Sequence, residues 1–176
     1  VETLENQLWN AVKGCNLDEL TVCMKLGPEV FLWSKCNDGS GNHFLHHFIE
    51  KDFLVGTILV CNTLPPIFAS QFLGSLRNRA GMTALHLAAY KLLSSHLKHL
   101  VLLDWLELKA TDLLGRTVLH IYLRRLRGKY LAEVRGEPLQ DDVRYSLTES
   151  ATSAYEVVFR IVSRDPDILG VEDRDG

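Results

Sequence analysis

Residues 78–89 read NRAGMTALHLAA, and residues 112–120, which read DLLGRTVLH, repeat the pattern 34 positions later, from Gly81 to Gly115 (115 − 81). In each copy a glycine precedes a threonine by two residues, and a leucine and a histidine follow. Glycine adopts a positive φ at a tight turn at little steric cost, and threonine at this spacing can cap the first turn of a helix. The pattern therefore predicts a turn followed by a helix, and this unit recurs.

Threonine, leucine, histidine and small residues at a period of about 33 are typical of ankyrin repeats. Residues 78–89 resemble such a repeat closely and depart from it at two positions: Ala84 stands where the family usually has proline, and Asn78 where aspartate is usual. The resemblance implies an all-α fold, an ankyrin-type solenoid of stacked helix-turn-helix repeats with short hairpin-like connections. It also implies a concave surface that binds proteins.

The leucine that follows the turn extends the pattern to four units, at Leu8, Leu45, Leu85 and Leu119. We predict a single array over residues 1–176, with units at residues 1–36, 37–77, 78–110 and 111–171 and the start of a further unit at residues 172–176. The first unit lacks the threonine and histidine signature, as expected of a unit at the end of an array. The chain opens on Val1 and ends at Gly176 within a turn pattern, so we expect it to belong to a longer protein.

The fourth unit is longer than the others, and we place the excess in an insertion at residues 128–150. Lengthening a loop costs little free energy, and long loops in compact domains are often functional or disordered. The insertion either contacts a partner or is an excursion that moves freely or packs on the chain itself. The second interpretation is favoured.

Length and composition indicate a globular chain, with 176 residues of which 47% are hydrophobic and 23% charged. The net charge of −3, from 19 basic and 22 acidic residues, gives no overall field that attracts nucleic acid. The longest apolar stretches are shorter or more interrupted than the run of about 20 apolar residues that spans a membrane. We therefore expect no nucleic-acid partner, no membrane insertion of this segment and a monomeric state.

All cysteines (Cys15, Cys23, Cys36 and Cys61) lie at or before position 61, and none forms a Cys-x-x-Cys pair. This distribution favours reduced, buried thiols in an intracellular protein, which we expect to be cytoplasmic.

Catalytic motifs are absent from the sequence: it has no phosphate-binding glycine loop, no nucleophilic serine flanked by glycines and no paired acids. We predict that the protein is not an enzyme, with no catalytic residue and no cofactor. The best metal candidate is His43 with His47, four residues apart, near Cys36 or Glu50. A structural role is favoured for these histidines and no metal is expected, since His46, His86 and His120 recur at equivalent places. His96 and His99 are expected at the surface.

Exposed positions that flank each turn or end each first helix bind the partner in the family that this chain resembles. The corresponding candidates are Arg79, Met82, Tyr90, Lys91, Leu113, Leu114, Arg116, Arg124 and Arg125. Leu113 and Leu114 either form an apolar hot spot at a hairpin tip or are buried by irregular packing of the fourth unit. The sequence does not favour one of these two interpretations over the other.

The most concentrated charge in the chain is the basic run Arg124, Arg125, Arg127 and Lys129. Such a run can bind phosphate or an acidic peptide. Glu133 and further acidic residues follow and can neutralise it, so a solvated or self-paired face is favoured.

Taken together, these features predict a non-enzymatic module that binds a protein partner through the concave face of an ankyrin-repeat array. The alternative is a regulatory or targeting ankyrin segment of a larger enzyme or membrane channel. A third and weaker hypothesis is a spacer that stacks only against its own repeats.

Overall fold

The computed structural model describes residues 3–26, 39–65, 76–136 and 151–174, which are all-α and contain no β-strand. The α-helices are α1 (Leu4–Gly14), α2 (Leu17–Leu26), α3 (Phe44–Glu50), α4 (Leu54–Thr63), α5 (Ala84–Tyr90), α6 (Ser94–Leu100), α7 (Val118–Arg135) and α8 (Ala151–Arg164), and a 3-10 helix covers Pro166–Gly170. Within the described ranges, no helix combines the length and the apolar character needed to cross a membrane. The chain divides into two compact units, Val1–Ala84 and Leu85–Gly176.

In the first unit, α1 packs against α2 and α3, and α4 packs against α2 and α3. Leu8, Leu20 and Leu45 are fully or almost fully buried between these helices, together with Phe44 and Phe48. The rings of Phe44 and Phe48 meet edge to face with centroids 5.8 Å apart. This aromatic core explains how α3 accommodates the bulky Phe48 and Ile49 where α5 has the small pair Ala88 and Ala89.

Helices α1, α3 and α5 are each followed, one or two positions after their last residue, by a non-glycine residue with a positive φ: Cys15 (51°), Asp52 (52°) and Leu92 (57°). The residue after Asp52 and the residue after Leu92 become the N-caps of α4 and α6. Neither Asp52 nor Ser94 is therefore an N-cap residue, although both residue types are common at that position. Because the left-handed residue already reverses the chain, the helix begins after one further residue, Phe53 or Leu93, neither of which offers a side-chain hydrogen bond.

In the second unit, α8 packs against α6, α7 and the 3-10 helix. The guanidinium of Arg164 at the end of α8 donates hydrogen bonds to the carbonyl oxygens of Val101 (2.8 Å), Asp104 (3.1 Å) and Leu106 (2.7 Å). One side chain thus satisfies three carbonyl groups that follow α6.

Helix α7 is much longer than the corresponding helices α3 and α5, with 18 residues against 7 in each of the others. Residues 128–135, which we assigned to the insertion, continue α7 until Gly136 ends it with a φ of 65°. A glycine inside a helix costs only about 1 kcal/mol, so Gly128 does not stop the helix. The remainder of the predicted insertion, residues 137–150, lies outside the described residues.

The three described cysteines carry free thiols. Cys23 and Cys61 are buried, and burial raises the pKa of the Cys61 thiol to about 12. The thiolate, which is the reactive form, is therefore suppressed at Cys61. Cys36 lies outside the described residues.

Candidate interaction surface

Two turns share one hydrogen-bond arrangement 34 residues apart (112 − 78). In the first, Asn78 Oδ1 accepts hydrogen bonds from the backbone N–H groups of Ala80 and Met82, both at 3.0 Å. In the second, Asp112 Oδ1 accepts from Leu114 and Arg116, both at 2.9 Å. Asparagine and aspartate play the same role because both place an acceptor oxygen over the turn.

Asp112 also forms an ion pair with Arg116. Its Oδ2 accepts hydrogen bonds from Nε (2.9 Å) and from an Nη (2.7 Å) of the guanidinium. Burial acts to raise the pKa of Asp112, but the hydrogen bonds from Arg116 and from the backbone outweigh it and lower the pKa below its usual value. Arg116, which we predicted as a partner-binding residue, thus pairs with Asp112 inside the turn, and its role toward a partner stays a prediction.

Leu113 and Leu114 form the tip of the second turn, and their side chains are exposed, by 59% and 53%. The alternative that irregular packing of the fourth predicted repeat buries Leu113 and Leu114 is therefore wrong. Their backbone is held: Gly115 has a φ of 77° and donates to the Asp112 carbonyl at 3.0 Å, and the Leu114 carbonyl accepts from the Arg174 N–H at 3.3 Å. Two exposed apolar side chains thus project from a turn that hydrogen bonds hold on both sides.

Histidines connect each first helix to the turn that follows it. His46 Nε2 lies 2.9 Å from the Met82 carbonyl oxygen, and His86 Nε2 lies 2.9 Å and 3.2 Å from the carbonyl oxygens of Ala110 and Arg116. Burial lowers the pKa of His46 to about 4. The expected structural role of His46 and His86 is confirmed.

The best metal candidate does not assemble a ligand set. His47 Nδ1 lies 3.5 Å from Glu50 Oε2, while Glu50 Oε1 accepts a hydrogen bond from Asn42 at 2.9 Å. The described ranges contain no group of three side chains able to hold a metal ion, and Cys36 lies outside them. His96, which we expected at the surface, is fully buried on α6, so that expectation is wrong. Helix α8, which packs on α6, begins about 50 residues later in the chain, so the sequence near His96 gives no sign of this packing.

Tyr90 and Arg125 are predicted site residues that contact each other. The guanidinium carbon of Arg125 lies 4.4 Å from the centre of the Tyr90 ring, and its Nε donates to the Tyr90 carbonyl at 2.9 Å. Lys91 is partly exposed and Arg124 is exposed. The remaining candidates, Arg79 and Met82, belong to the first unit; the Arg79 side chain is exposed and that of Met82 is partly exposed.

A row of exposed side chains on α7 was not among the predicted site residues. Leu123, Arg127, Tyr130 and Val134 follow one another at intervals of 4, 3 and 4 residues, and each is exposed. This spacing places them on one face of a helix. The spacing of these residues is present in the sequence, but it indicates a single helix face only if α7 continues through Gly128.

The turn arrangement predicts how replacements of Asp112 affect stability. Asp112→Ala removes the acceptor for two backbone N–H groups and for Arg116, and we expect it to lower the free energy of unfolding by about 2 kcal/mol. Asp112→Asn keeps the backbone acceptor, as Asn78 does naturally, and should cost about 1 kcal/mol or less. Urea unfolding of both variants measures the difference. Equal losses would show that the ion pair, and not the backbone capping, stabilises the turn.

Comparison with known proteins gives a structural likeness. No family model matches the sequence, and no curated protein matches it. A chain in the crystal structure of the yeast ribosomal protein Rps3 in complex with its chaperone Yar1 is similar to this one, with a TM-score of 0.59 and 17% sequence identity over 80% of this chain and 100% of that chain. At this level of identity the likeness concerns the fold alone, and that fold is an all-α helical repeat.

Proposed function

We propose that this chain is a non-enzymatic protein-binding module, built from ankyrin-like repeats, that holds its partner through the turn at Leu113 and Leu114. The observation that carries the proposal is the pair of exposed leucines on a turn fixed by Asp112. Covering exposed apolar side chains with a partner removes them from water and so stabilises the complex. Because hydrogen bonds already hold the turn, its backbone has little further freedom to lose on binding.

Two further observations support this proposal. The matched hydrogen bonds at Asn78 and Asp112, and the matched histidine contacts of His46 and His86, recur as expected of ankyrin-like units. The similar solved complex contains a ribosomal protein with its chaperone, and binding another protein is a role that this fold can serve. We propose an intracellular setting for this chain, in keeping with free, partly buried thiols.

The test compares two double variants, each of which replaces two exposed leucines. Leu113→Ser/Leu114→Ser alters the turn, and Leu102→Ser/Leu169→Ser alters leucines that are 61% and 67% exposed elsewhere in the same unit. Both variants and the wild type are used to capture proteins from cell lysate, and quantitative mass spectrometry measures recovery. For at least one partner protein, we expect the turn variant to recover at least about ten-fold less than the wild type does, while the control variant recovers as much as the wild type.

Circular dichroism of each variant verifies that its helices persist. Equal recovery of every captured protein by the two variants would contradict a role for this turn. The absence of any specific capture by the wild type would favour the spacer hypothesis. The alternative of a regulatory segment within a larger enzyme or channel predicts that the captured partner, or the remainder of the protein, carries that activity.

A further inference from the structure

The row on α7 forms a narrow apolar surface, which we call the α7 stripe: Leu123, Arg127, Tyr130 and Val134. The three apolar members are 46%, 66% and 66% exposed, in sequence order. With a rise of 1.5 Å per residue, the stripe is about 16 Å long, or three helical turns. On other faces of the helix, Ile121, Tyr122 and Lys129 are buried. The helix is thus anchored on one side and presents the stripe on another.

Basic residues outnumber acidic residues on α7. From Val118 to Arg135 the helix has five basic residues and one acidic residue, Glu133, whereas the whole chain has a net charge of −3. Positive charge is therefore concentrated on this helix. Basic residues of this helix also interact within the chain: Arg125 contacts Tyr90, and Lys129 Nζ lies 4.0 Å from Glu133.

Arg127 lies within the stripe, between Leu123 and Tyr130, and its side chain is exposed. A guanidinium in this position can form a bidentate pair with a carboxylate while apolar side chains of the same ligand cover its neighbours. Arginine and tyrosine are also the residue types enriched at the energetic centres of protein interfaces. The chemistry of the stripe is thus apolar along its length and cationic in its middle.

We propose that the α7 stripe binds an acidic amphipathic helix of a partner protein. A partner helix with apolar residues every three or four positions covers the stripe, and its glutamates or aspartates lie against Arg127. The width of the stripe supports this occupant, since a single row of side chains matches the narrow seam between two helices. A helix that lies on a membrane surface buries a broader apolar face.

This inference does not depend on the proposed role of Leu113 and Leu114, because the α7 stripe is a separate surface. Two fluorescent peptides of about 20 residues provide the test. Both carry leucines at helical spacing, and their remaining positions are mainly glutamate in one and mainly lysine in the other. Fluorescence anisotropy measures their binding to the whole chain at low and high salt, and sedimentation with phosphatidylcholine–phosphatidylserine vesicles measures lipid binding.

The variant Tyr130→Ser/Val134→Ser replaces the two apolar side chains in the C-terminal half of the stripe. Its matched control, Tyr155→Ser/Val55→Ser, replaces the same residue types at exposed positions on α8 and α4. We expect the glutamate peptide to bind the wild type and the control variant with equal affinity, and the stripe variant about ten-fold more weakly. Its affinity for the wild type should fall as the salt concentration rises. The charge-removing variant Arg127→Gln should weaken binding and reduce its dependence on salt.

Failure of the glutamate peptide to bind would overturn the proposal. Equal binding of the two peptides, or equal binding by the stripe variant and its control, would overturn it as well. Binding to anionic vesicles without binding to the peptide would assign the surface to lipid instead. The Leu113→Ser/Leu114→Ser variant should retain full peptide binding, so failure of the turn hypothesis and failure of the stripe hypothesis are distinguishable.

Discussion

Acidification from about pH 7 to about pH 4 is expected to lower the free energy of unfolding by several kcal/mol, mainly through His46 and His96. Burial lowers the pKa of each of these histidines from 6.5 to about 4, and a coulombic effect of His99 adds to the lowering at His96. In the unfolded chain both imidazoles regain their ordinary pKa. The unfolded state therefore takes up protons first.

The sign and the range follow from these pKa values. The contribution of the neutral histidines to stability is fully present above pH 6.5 and is lost as the pH falls to about 4. At that pH, each histidine has lowered the free energy of unfolding by about 3 kcal/mol. The carboxylates of Glu156 and Asp112 take up protons mainly below this range, since hydrogen bonds hold the pKa of each below its usual value. Urea unfolding at a series of pH values measures the loss.

Two variants identify the histidines responsible. His96→Leu removes one buried imidazole, and His46→Gln keeps a donor for the Met82 carbonyl without a titrating group. Each variant is expected to reduce the loss of stability between about pH 7 and about pH 4 by about 3 kcal/mol, whatever its stability at neutral pH. A loss as steep in both variants as in the wild type would show that other groups take up the protons.

The repeated turn could be predicted from the sequence because its residues interact with near neighbours. Gly81 and Gly115 have the expected positive φ of 72° and 77°. Thr117 caps α7 as the motif requires, accepting from the His120 N–H. The leucine positions of all four predicted units are buried as well: Leu8, Leu45, Leu85 and Leu119. The division into repeat units itself stays a prediction.

The candidate site was harder to predict because its properties depend on contacts that the motif does not encode. Arg116 follows Asp112 by four residues, yet the family resemblance placed it on the binding surface and gave no sign of the ion pair inside the turn. The exposure of Leu113 and Leu114 depended on whether other parts of the unit cover the tip. The sequence analysis began the insertion at Gly128, although a glycine inside a helix has only a small local cost.

Gly115→Val is expected to lower the free energy of unfolding by about 3 kcal/mol or more, and Gly41→Val should have a similar effect. Both glycines have a positive φ, of 77° and 70°, which valine strongly resists. A Cβ at Gly115 would lie 3.0 Å from Cγ and 3.3 Å from the backbone nitrogen of Arg174; at Gly41 it would lie 3.2 Å and 3.3 Å from the same atoms of Arg79.

The same replacement at Gly128 provides the control. No atom lies within 4 Å of a Cβ built there, and valine in an exposed helical position differs from glycine by only about 0.5 kcal/mol. Gly128→Val should therefore leave the urea unfolding curve almost unchanged. If Gly115→Val unfolds at the same urea concentration as Gly128→Val, neither the positive φ nor the close approach of Arg174 constrains this turn.

A third replacement separates the two causes of the loss at Gly115. Asparagine adopts the left-handed conformation more readily than valine does, but it carries the same Cβ. Gly115→Asn should therefore remove most of the conformational strain and keep the steric conflict with Arg174. Because the conflict involves the backbone nitrogen of Arg174 as well as its side chain, Arg174→Ala should rescue Gly115→Asn only in part. Full rescue would mean that the two backbone segments are free to separate, and that the turn is held by Asp112 alone.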